Sequence, residues 1–147
     1  MENLWSGIID VPKTIPPVTI LRQQATMLGQ TTKGILQAEV KHYNEEFSKG
    51  FVYDFLIIAP ALGNYKYQLL EIRHGVELYP VNIETEKSIG DDVVGKLNTA
   101  GINSAQSSDG WVFTAETEDD LIEVLKVIFR SNKSKKVIAS LVAQSSN

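Results

Sequence analysis

The stretch that decides the fold runs from residue 51 to residue 83 and has the sequence FVYDFLIIAP-ALGN-YKYQLLEIR-HG-VELYPVNI. It contains three runs rich in β-branched and aromatic residues, a composition typical of β-strands. Turn-forming residues separate the runs, and the glycine of His74-Gly75 suits the positive φ angle of a tight hairpin. The pattern predicts an antiparallel meander at the centre of a sheet. Pro80, which has no N–H for the ladder, indicates an edge or a bulge in the last run.

The first of these runs, residues 51–59, is apolar on both faces and therefore predicts a strand in the sheet interior. Upstream, alternating apolar and polar residues predict a neighbouring strand within residues 34–43. The polar residues 44–50 would join these two strands as a hairpin loop. Residues 111–115 predict one more short strand, whereas residues 103–110 have the composition of a polar loop.

Helical spacing occurs on both sides of the meander. Residues 17–28 begin at Pro17, which a first helical turn tolerates because its missing N–H has no helical acceptor there. A second, shorter helix is predicted for residues 91–100, although Gly90 and Gly95 oppose it. The first helix would place three residues against the core: Leu21, Ala25 and Leu28.

The strongest helical signal lies in the C-terminal part of the chain. Thr117 is a good N-cap, and the three acidic residues after it place negative charge where the helix dipole favours it. Apolar residues from Leu121 to Phe129 then form a wide stripe. Ser134 is predicted to cap a last helix, KKVIASLVAQ, whose apolar residues recur four apart.

These patterns together predict an α+β fold. We expect an antiparallel sheet of about five strands, with helices packed mainly on one face, in a single domain of 147 residues. Residues 1–15 form an N-terminal arm whose apolar side chains, among them Trp5 and Ile9, follow no clear period. The arm packs either onto its own domain or onto a neighbouring subunit.

Composition excludes several classes of protein. The net charge of −4 argues against a nucleic-acid partner, and the apolar runs are too short for a membrane span. The first residues lack the basic leader of a secretion signal. The absence of cysteine excludes disulfides and thiolate zinc sites and is consistent with a cytoplasmic location.

No motif for catalysis, a cofactor or a metal stands out. The two histidines, His42 and His74, lack metal-ligand spacing. The chain has neither the GxSxG pattern of a nucleophilic serine nor the glycine motifs that bind nucleotide phosphates. We therefore predict no catalytic residues, no cofactor and no metal site.

Asp54 is an acid inside a strand that is otherwise apolar on both faces. It either pairs with a cation, with Lys66 and Arg73 as candidates, or reaches solvent through a gap. If it is buried, the pKa of its carboxyl group would rise, and it could act as an acid or a base.

His74 allows two interpretations. In a tight turn it would be an exposed hairpin residue without a chemical role. Alternatively, it could act as a general base, with Glu71 or Glu77 orienting its ring.

The loop ALGNYKY, residues 61–67, places Asn64, Tyr65 and Tyr67 close together. Tyrosines beside Lys66 resemble a small stacking platform for single-stranded nucleic acid, but the acidic net charge opposes that interpretation. The tyrosines would otherwise pack on the core with their hydroxyl groups at the rim, or contact a protein partner.

Three segments carry a resemblance to known proteins: IPPVTILRQQATMLGQTTKG (15–34), APALGNYKYQLLEIRH (59–74) and SKKVIASLVAQS (134–145). They resemble a family of small bacterial proteins of uncharacterised function, with a proline-opened first helix, a PALxNY loop and a C-terminal helix ending in Ala-Gln. The resemblance covers about a third of the chain. It implies a bacterial origin and a soluble, cytoplasmic location, and it implies no activity, cofactor or site residue.

The sequence therefore favours a non-enzymatic binding or protein-interaction domain, with a homodimer as a candidate assembly. The predicted binding residues are Asp54, Asn64, Tyr65, Tyr67 and His74. The alternative is a small enzyme or small-molecule binder with a cleft lined by Asp54, Tyr67, Glu71 and His74.

Overall fold

The computed structural model describes residues 1–43 and 50–146. Helices α1 to α4 span Pro17–Thr31, Lys87–Thr99, Glu118–Phe129 and Asn132–Ser145. Strands β1 to β6 span Gln37–Tyr43, Phe51–Ala59, Tyr65–His74, Val81–Glu86, Asn103–Gln106 and Gly110–Ala115, and a 3₁₀ helix spans Pro60–Leu62. The loop predicted for residues 44–50 lies outside the described residues, except for Gly50. None of the described helices is long and apolar enough to cross a membrane.

The strands form one six-stranded antiparallel sheet in the order β1-β2-β3-β4-β6-β5. This architecture confirms the predicted α+β class, and β1 to β4 are consecutive neighbours, as in a meander. The strand that the sequence analysis missed is β5, which pairs with β6 although residues 103–110 were predicted as a loop. It is a short, polar edge strand, and such strands resist unwanted pairing with other chains.

The connection between β3 and β4 is longer than the predicted two-residue turn at His74-Gly75. β3 continues to His74 and β4 begins only at Val81, so residues 75–80 form the loop. Pro80 precedes β4 instead of interrupting it, because it has no N–H for the ladder. β4 pairs with β3 on one side and with β6 on the other, so it is not the edge strand that Pro80 suggested.

The helices cover mainly one face of the sheet, which we call the helix face. Ile72, Ile83 and Phe113 lie side by side on adjacent strands of this face, and all three are fully buried. Their burial against the helices supplies the main hydrophobic stabilisation of the fold. Each helix contributes to the same core, through Leu21 (α1), Val93 (α2), Leu121 (α3) and Leu141 (α4).

The first two helices extend beyond their predicted limits. α1 continues past Leu28 to Thr31, and the chain then turns at Gly34, whose N–H donates to the Gly29 carbonyl at 2.8 Å. α2 begins at Lys87, earlier than predicted. It ends before Gly101, which has a φ of +86°, a left-handed conformation that favours glycine after a helix.

The caps of the last two helices confirm one prediction and correct another. The Thr117 side chain accepts a hydrogen bond from the Asp120 N–H at 3.1 Å and caps α3, as predicted. Ser134 was wrongly predicted to cap α4, because the N-cap is Ser131, which accepts from the Ser134 N–H at 3.1 Å. The Ser134 hydroxyl is buried in the first turn and donates to the Ile128 carbonyl at 2.7 Å.

β3 contains one more residue than β2 where the two strands pair. Phe55 lies opposite Leu70, but the next residue, Leu56, lies opposite Gln68, so Leu69 is the extra residue of a β-bulge. Side chains alternate between the faces of a strand, and the extra residue reverses this alternation. As a result, the two tyrosines of β3 lie on the helix face.

Two glycines of α2 allow the packing between this helix and the sheet to be tested. A Cβ atom on Gly90 would collide with the Trp111 ring of β6, whereas Gly95 has open space beside it. Alanine is favoured over glycine in a helix by about 1 kcal/mol. We expect Gly95→Ala to raise the free energy of unfolding by up to about 1 kcal/mol. We expect Gly90→Ala to lower it by about 1–3 kcal/mol, because overpacking outweighs helix propensity.

Urea unfolding of the two variants measures both effects, and Gly95→Ala is the matched control. A gain in stability for Gly90→Ala would contradict the packing of Trp111 against α2.

Candidate functional site

A groove of about 590 Å³ on the helix face separates the start of β3 from α4. We call it the tyrosine–lysine groove and define it by Leu62, Tyr65, Tyr67, Lys133, Lys136, Val137 and Leu141. It combines apolar side chains with polar groups at its border. This combination is typical of surfaces that bind organic ligands or peptide segments.

A tight turn before β3 positions the two tyrosines in this groove. The 3₁₀ helix is followed by Gly63 and Asn64, both left-handed, with φ angles of +67° and +58°. The Asn64 N–H donates to the Pro60 carbonyl at 3.3 Å and closes the turn. Asparagine tolerates this conformation better than most residues. Asn64 therefore has a structural role in the turn. Its neighbour Tyr65 is 51% exposed and is the side chain that a ligand could contact.

Tyr67 is half-buried and is held in place by Glu86, the last residue of β4. Its hydroxyl donates to Glu86 Oε1 at 2.6 Å, and the Ser88 hydroxyl donates to the same oxygen at 3.0 Å. Burial, together with the hydrogen bond to Glu86, raises the pKa of Tyr67 well above its usual value. The phenol therefore remains neutral at physiological pH and forms a fixed wall of the groove.

The two lysines give the groove a positive border. Lys133 and Lys136 are exposed on α4, and no carboxylate is among the described residues that line the groove. The whole chain has a net charge of −4. The groove is therefore a basic site on an acidic protein, with Val137 and Leu141 as its apolar floor.

The other face of the sheet, which we call the open face, carries ion pairs beside the apolar residues Val52, Leu56 and Ile58 of β2. Lys66 pairs with Glu39 at 3.3 Å across three strands, and the Arg73 guanidinium pairs with Glu71 at 2.9 Å and with Glu84 at 3.4 Å. These partly exposed ion pairs are compatible with water, which explains why this face needs no helix to cover it. Each pair is expected to contribute little to stability.

Asp54 lies on this open face and is nevertheless only 4% exposed. Gln68 Nε2 donates to its carboxylate at 3.3 Å, and the Tyr43 hydroxyl also donates to it. Burial raises the pKa of Asp54, and the hydrogen bond from Tyr43 and the charges of Lys41 and Arg73 only partly oppose the shift. Glu71 lies directly opposite Asp54 in β3, and burial raises the pKa of Glu71 as well.

The predicted cation partners of Asp54 are only partly correct. Lys66 is not a partner, because it pairs with Glu39 on β1, the edge strand on the other side of β2. Arg73 attracts the Asp54 carboxylate, and so does Lys41, which lies opposite Asp54 in β1. The sequence could not indicate Lys41, because the register between β1 and β2 is set by tertiary structure.

His74 lies at the end of β3, on the helix face but far from the tyrosine–lysine groove. Its ring stacks on Phe51 with the ring centroids 5.3 Å apart. Its Nδ1 atom lies 2.8 Å from the Gly75 carbonyl and 3.2 Å from the Glu77 carbonyl. Because carbonyl oxygens only accept, Nδ1 carries a proton and donates to them. The orienting groups are thus backbone carbonyls, and Glu71 lies on the opposite face.

The predicted site residues therefore fall into separate groups. Tyr65 and Tyr67 meet in the groove, and Asp54 and Glu71 meet on the open face. His74 lies about 23 Å from Tyr67, seven residues further along β3. The structure does not form the single cleft of Asp54, Tyr67, Glu71 and His74 that the alternative prediction required.

The α4 side of the groove was not predicted from the sequence. Lys133 and Lys136 belong to a helix that was predicted, but only tertiary packing places that helix beside β3. Among the described residues, no group of three or more acidic or histidine side chains is placed to hold a metal ion.

Comparisons of the chain with protein-family models, with curated proteins and with solved structures find no match. The assignment of the site therefore depends on its geometry and charge.

Asp54 provides a test of the open face. Since burial raises its pKa, the folded protein holds the Asp54 proton more tightly than the unfolded chain does. Ionisation of Asp54 therefore costs stability as the pH rises through this raised pKa. We expect Asp54→Asn to be more stable than the wild type at pH 7, because asparagine keeps an acceptor oxygen without the charge.

This difference should shrink as the pH falls through the raised pKa and should vanish below 3.8, the ordinary pKa of aspartate, where the carboxyl group is protonated in both states. Thermal unfolding from pH 3 to pH 8 measures it, with Asp10→Asn in the exposed arm as the control. A stability loss of Asp54→Asn that is equal at every pH would contradict this account.

Proposed function

We propose that this protein is a non-enzymatic binding domain whose tyrosine–lysine groove receives a segment of a protein partner. The observation that carries the proposal is the half-exposed ring of Tyr65 beside an apolar floor. Aromatic side chains are enriched at protein interfaces, since a rigid ring buries a large area at a low entropy cost.

The charges of the groove define the ligand further. Lys133 and Lys136 attract carboxylates, whereas the net charge of the chain repels acidic partners from most other surfaces. An aliphatic or aromatic side chain would fill the floor, and neighbouring acidic residues would pair with the lysines. The expected partner segment therefore combines an apolar side chain with aspartate or glutamate.

The position of Tyr67 supports the same proposal. Its hydrogen bond to Glu86 fixes the ring before any ligand arrives. A preformed wall lowers the entropy that binding must overcome. The groove thus has one fixed tyrosine, Tyr67, and one more exposed tyrosine, Tyr65, that can adapt to the ligand.

The alternative function is that of a small enzyme or small-molecule binder. Its specific support is the Asp54–Glu71 pair, two neighbouring carboxyl groups whose pKa values are raised by burial. Perturbed carboxyl groups often mark sites of proton transfer. The support is weaker than that for the groove, because Tyr67 and His74 lie on the other face. Turnover that disappears in a folded Asp54→Asn variant would favour this alternative.

Membership of the small bacterial family and a cytoplasmic location remain part of this proposal. The three sequence segments support the first, and the absence of cysteine supports the second.

A defined peptide tests the binding proposal. The acidic probe is a short peptide with a tryptophan and an isoleucine between glutamates. The basic probe has the same sequence with lysines in place of the glutamates. We expect the acidic probe to bind, and we expect Tyr65→Ala and Lys136→Glu each to weaken its binding by about tenfold or more. Fluorescence anisotropy at two salt concentrations measures the affinity, which should fall as salt screens the lysines.

Lys135→Glu is the matched control, because Lys135 is exposed on the same helix without lining the groove. It makes the same change in net charge as Lys136→Glu and should leave binding close to that of the wild type. Equal affinity for the acidic and basic probes, or equal losses in the two lysine variants, would refute the groove as the binding site.

A further inference from the structure

The N-terminal arm exposes an unusual amount of apolar surface. Five of its large apolar side chains are between 63% and 79% exposed: Leu4, Trp5, Ile8, Ile9 and Val11. Single exposed apolar residues are common on protein surfaces, but a contiguous group generally marks an interaction site. The arm therefore does not pack its apolar side chains onto its own domain, which was one of its two predicted roles.

The arm is fixed at one end only. The Ile15 N–H donates to Glu118 Oε1 at 2.8 Å, and the Tyr79 hydroxyl donates to the Ile15 carbonyl at 3.3 Å. Within the described part of the chain, the hydrogen bonds of residues 1–14 remain inside the arm, as in the turn from Trp5 to Ile8. Residues 1–14 are thus available to another surface.

The charge of residues 2–10 complements that of the tyrosine–lysine groove. The two acidic side chains of this segment, Glu2 and Asp10, flank its apolar residues, and the basic side chain of the arm, Lys13, lies outside it. The groove presents Lys133 and Lys136 without an acidic residue among its described lining. The arm therefore has the composition that the groove favours, apolar side chains flanked by carboxylates.

The dimensions of the two elements also agree. The α4 side of the groove runs from Lys133 to Gln144 and is about 16 Å long. An extended chain of about five residues covers this length. The segment from Trp5 to Ile9 has that number of residues and includes three of the exposed apolar side chains, and it covers this length once its turn between Trp5 and Ile8 opens.

The arm does not enter the groove of its own copy. Ile15 is held beside Tyr79 and Glu118, at the end of the sheet where β3 finishes, whereas the groove lies where β3 begins. To bring Ile9 level with Tyr67 of the same copy, the six residues from Ile9 to Ile15 would have to run fully extended, over about 22 Å, along nearly the whole of β3. The arm of a second copy needs no such extension.

We propose that two copies of this protein exchange arms, so that residues 4–9 of each copy occupy the tyrosine–lysine groove of the other. This inference rests on the proposed function of the groove and names a second copy as its partner. Two reciprocal contacts of this kind close a symmetric dimer and leave no groove open for further growth.

Sedimentation equilibrium over a range of concentrations tests the exchange. We expect the wild type to dimerise, and we expect an arm variant, Trp5→Ala with Ile9→Ala, to weaken dimerisation by about tenfold or more. A groove variant, Tyr65→Ala with Lys136→Glu, should have the same effect. Val76→Ala is the control, because it removes a side chain that is 85% exposed on a loop outside the groove.

Mixing the two defective variants provides the decisive measurement. The arm variant keeps a wild-type groove and the groove variant keeps a wild-type arm, so a mixed pair regains one of the two contacts. The mixture should therefore associate more strongly than either variant alone. Circular dichroism of each variant verifies that the fold is intact.

Three results would overturn the exchange. The wild type could stay monomeric at all concentrations, its dimer could be insensitive to the arm substitutions, or the mixture could associate no more strongly than either variant alone. The acidic probe peptide separates this failure from failure of the proposed function. If the probe binds the wild-type groove but the arm has no effect on association, only the exchange is wrong. If the groove variant binds the probe as well as the wild type does, the proposed function is wrong too.

Discussion

The extra residue of β3, Leu69, is the constraint on which the candidate site depends. A strand without a bulge would place Tyr67 on the face opposite Leu70, and Tyr67 would then lie on the open face among ion pairs. With the bulge, Leu69 and Leu70 are both buried in the core on the helix face. Burial of a leucine contributes about 2 kcal/mol, which helps to offset the disrupted ladder. The bulge therefore has two effects: it buries both leucines in the core, and it places Tyr67 in the wall of the groove.

The sheet divides its chemistry between two faces. On the helix face, apolar residues are buried by the four described helices, and the groove is one place where this cover is incomplete. On the open face, ion pairs and Asp54 remain compatible with water, so the sheet needs no second helical layer. β2 is apolar on the helix face, and on the open face it carries Asp54 between the apolar residues Val52 and Leu56. The division between the two faces means that carboxylate chemistry and aromatic binding cannot share one cleft.

The sequence predicted most of the fold because its period-two and helical patterns follow from burial of one face. It failed where polar residues form regular structure, as in β5, whose ladder with β6 is not encoded by apolar alternation. It also failed at the α4 cap, since Ser131 and Ser134 are both plausible caps in the local sequence. The bulge does have a signal, because the apolar alternation in YKYQLLEIR changes phase between Leu69 and Leu70.

The candidate site was predicted less completely than the fold, for a physical reason. Tyr65 and Tyr67 are local features of a loop and a strand, so sequence analysis could name them. Lys133 and Lys136 are far away in sequence, and they join the tyrosines only because α4 packs beside the 3₁₀ helix and β3. Sites assembled across such distances depend on tertiary packing, which local patterns do not encode.

Electrostatics determines how a basic groove can select acidic ligands on a protein with a net charge of −4. At physiological ionic strength the Debye length is about 8 Å, so the repulsion between two acidic molecules is weak beyond that distance. Contacts between a carboxylate and Lys133 or Lys136 form within it and are screened far less. The net negative charge therefore repels other acidic molecules at short range over most of the surface. The lysines of the groove instead attract carboxylates. Specificity in this protein follows from the local sign of the charge together with the apolar floor beneath it.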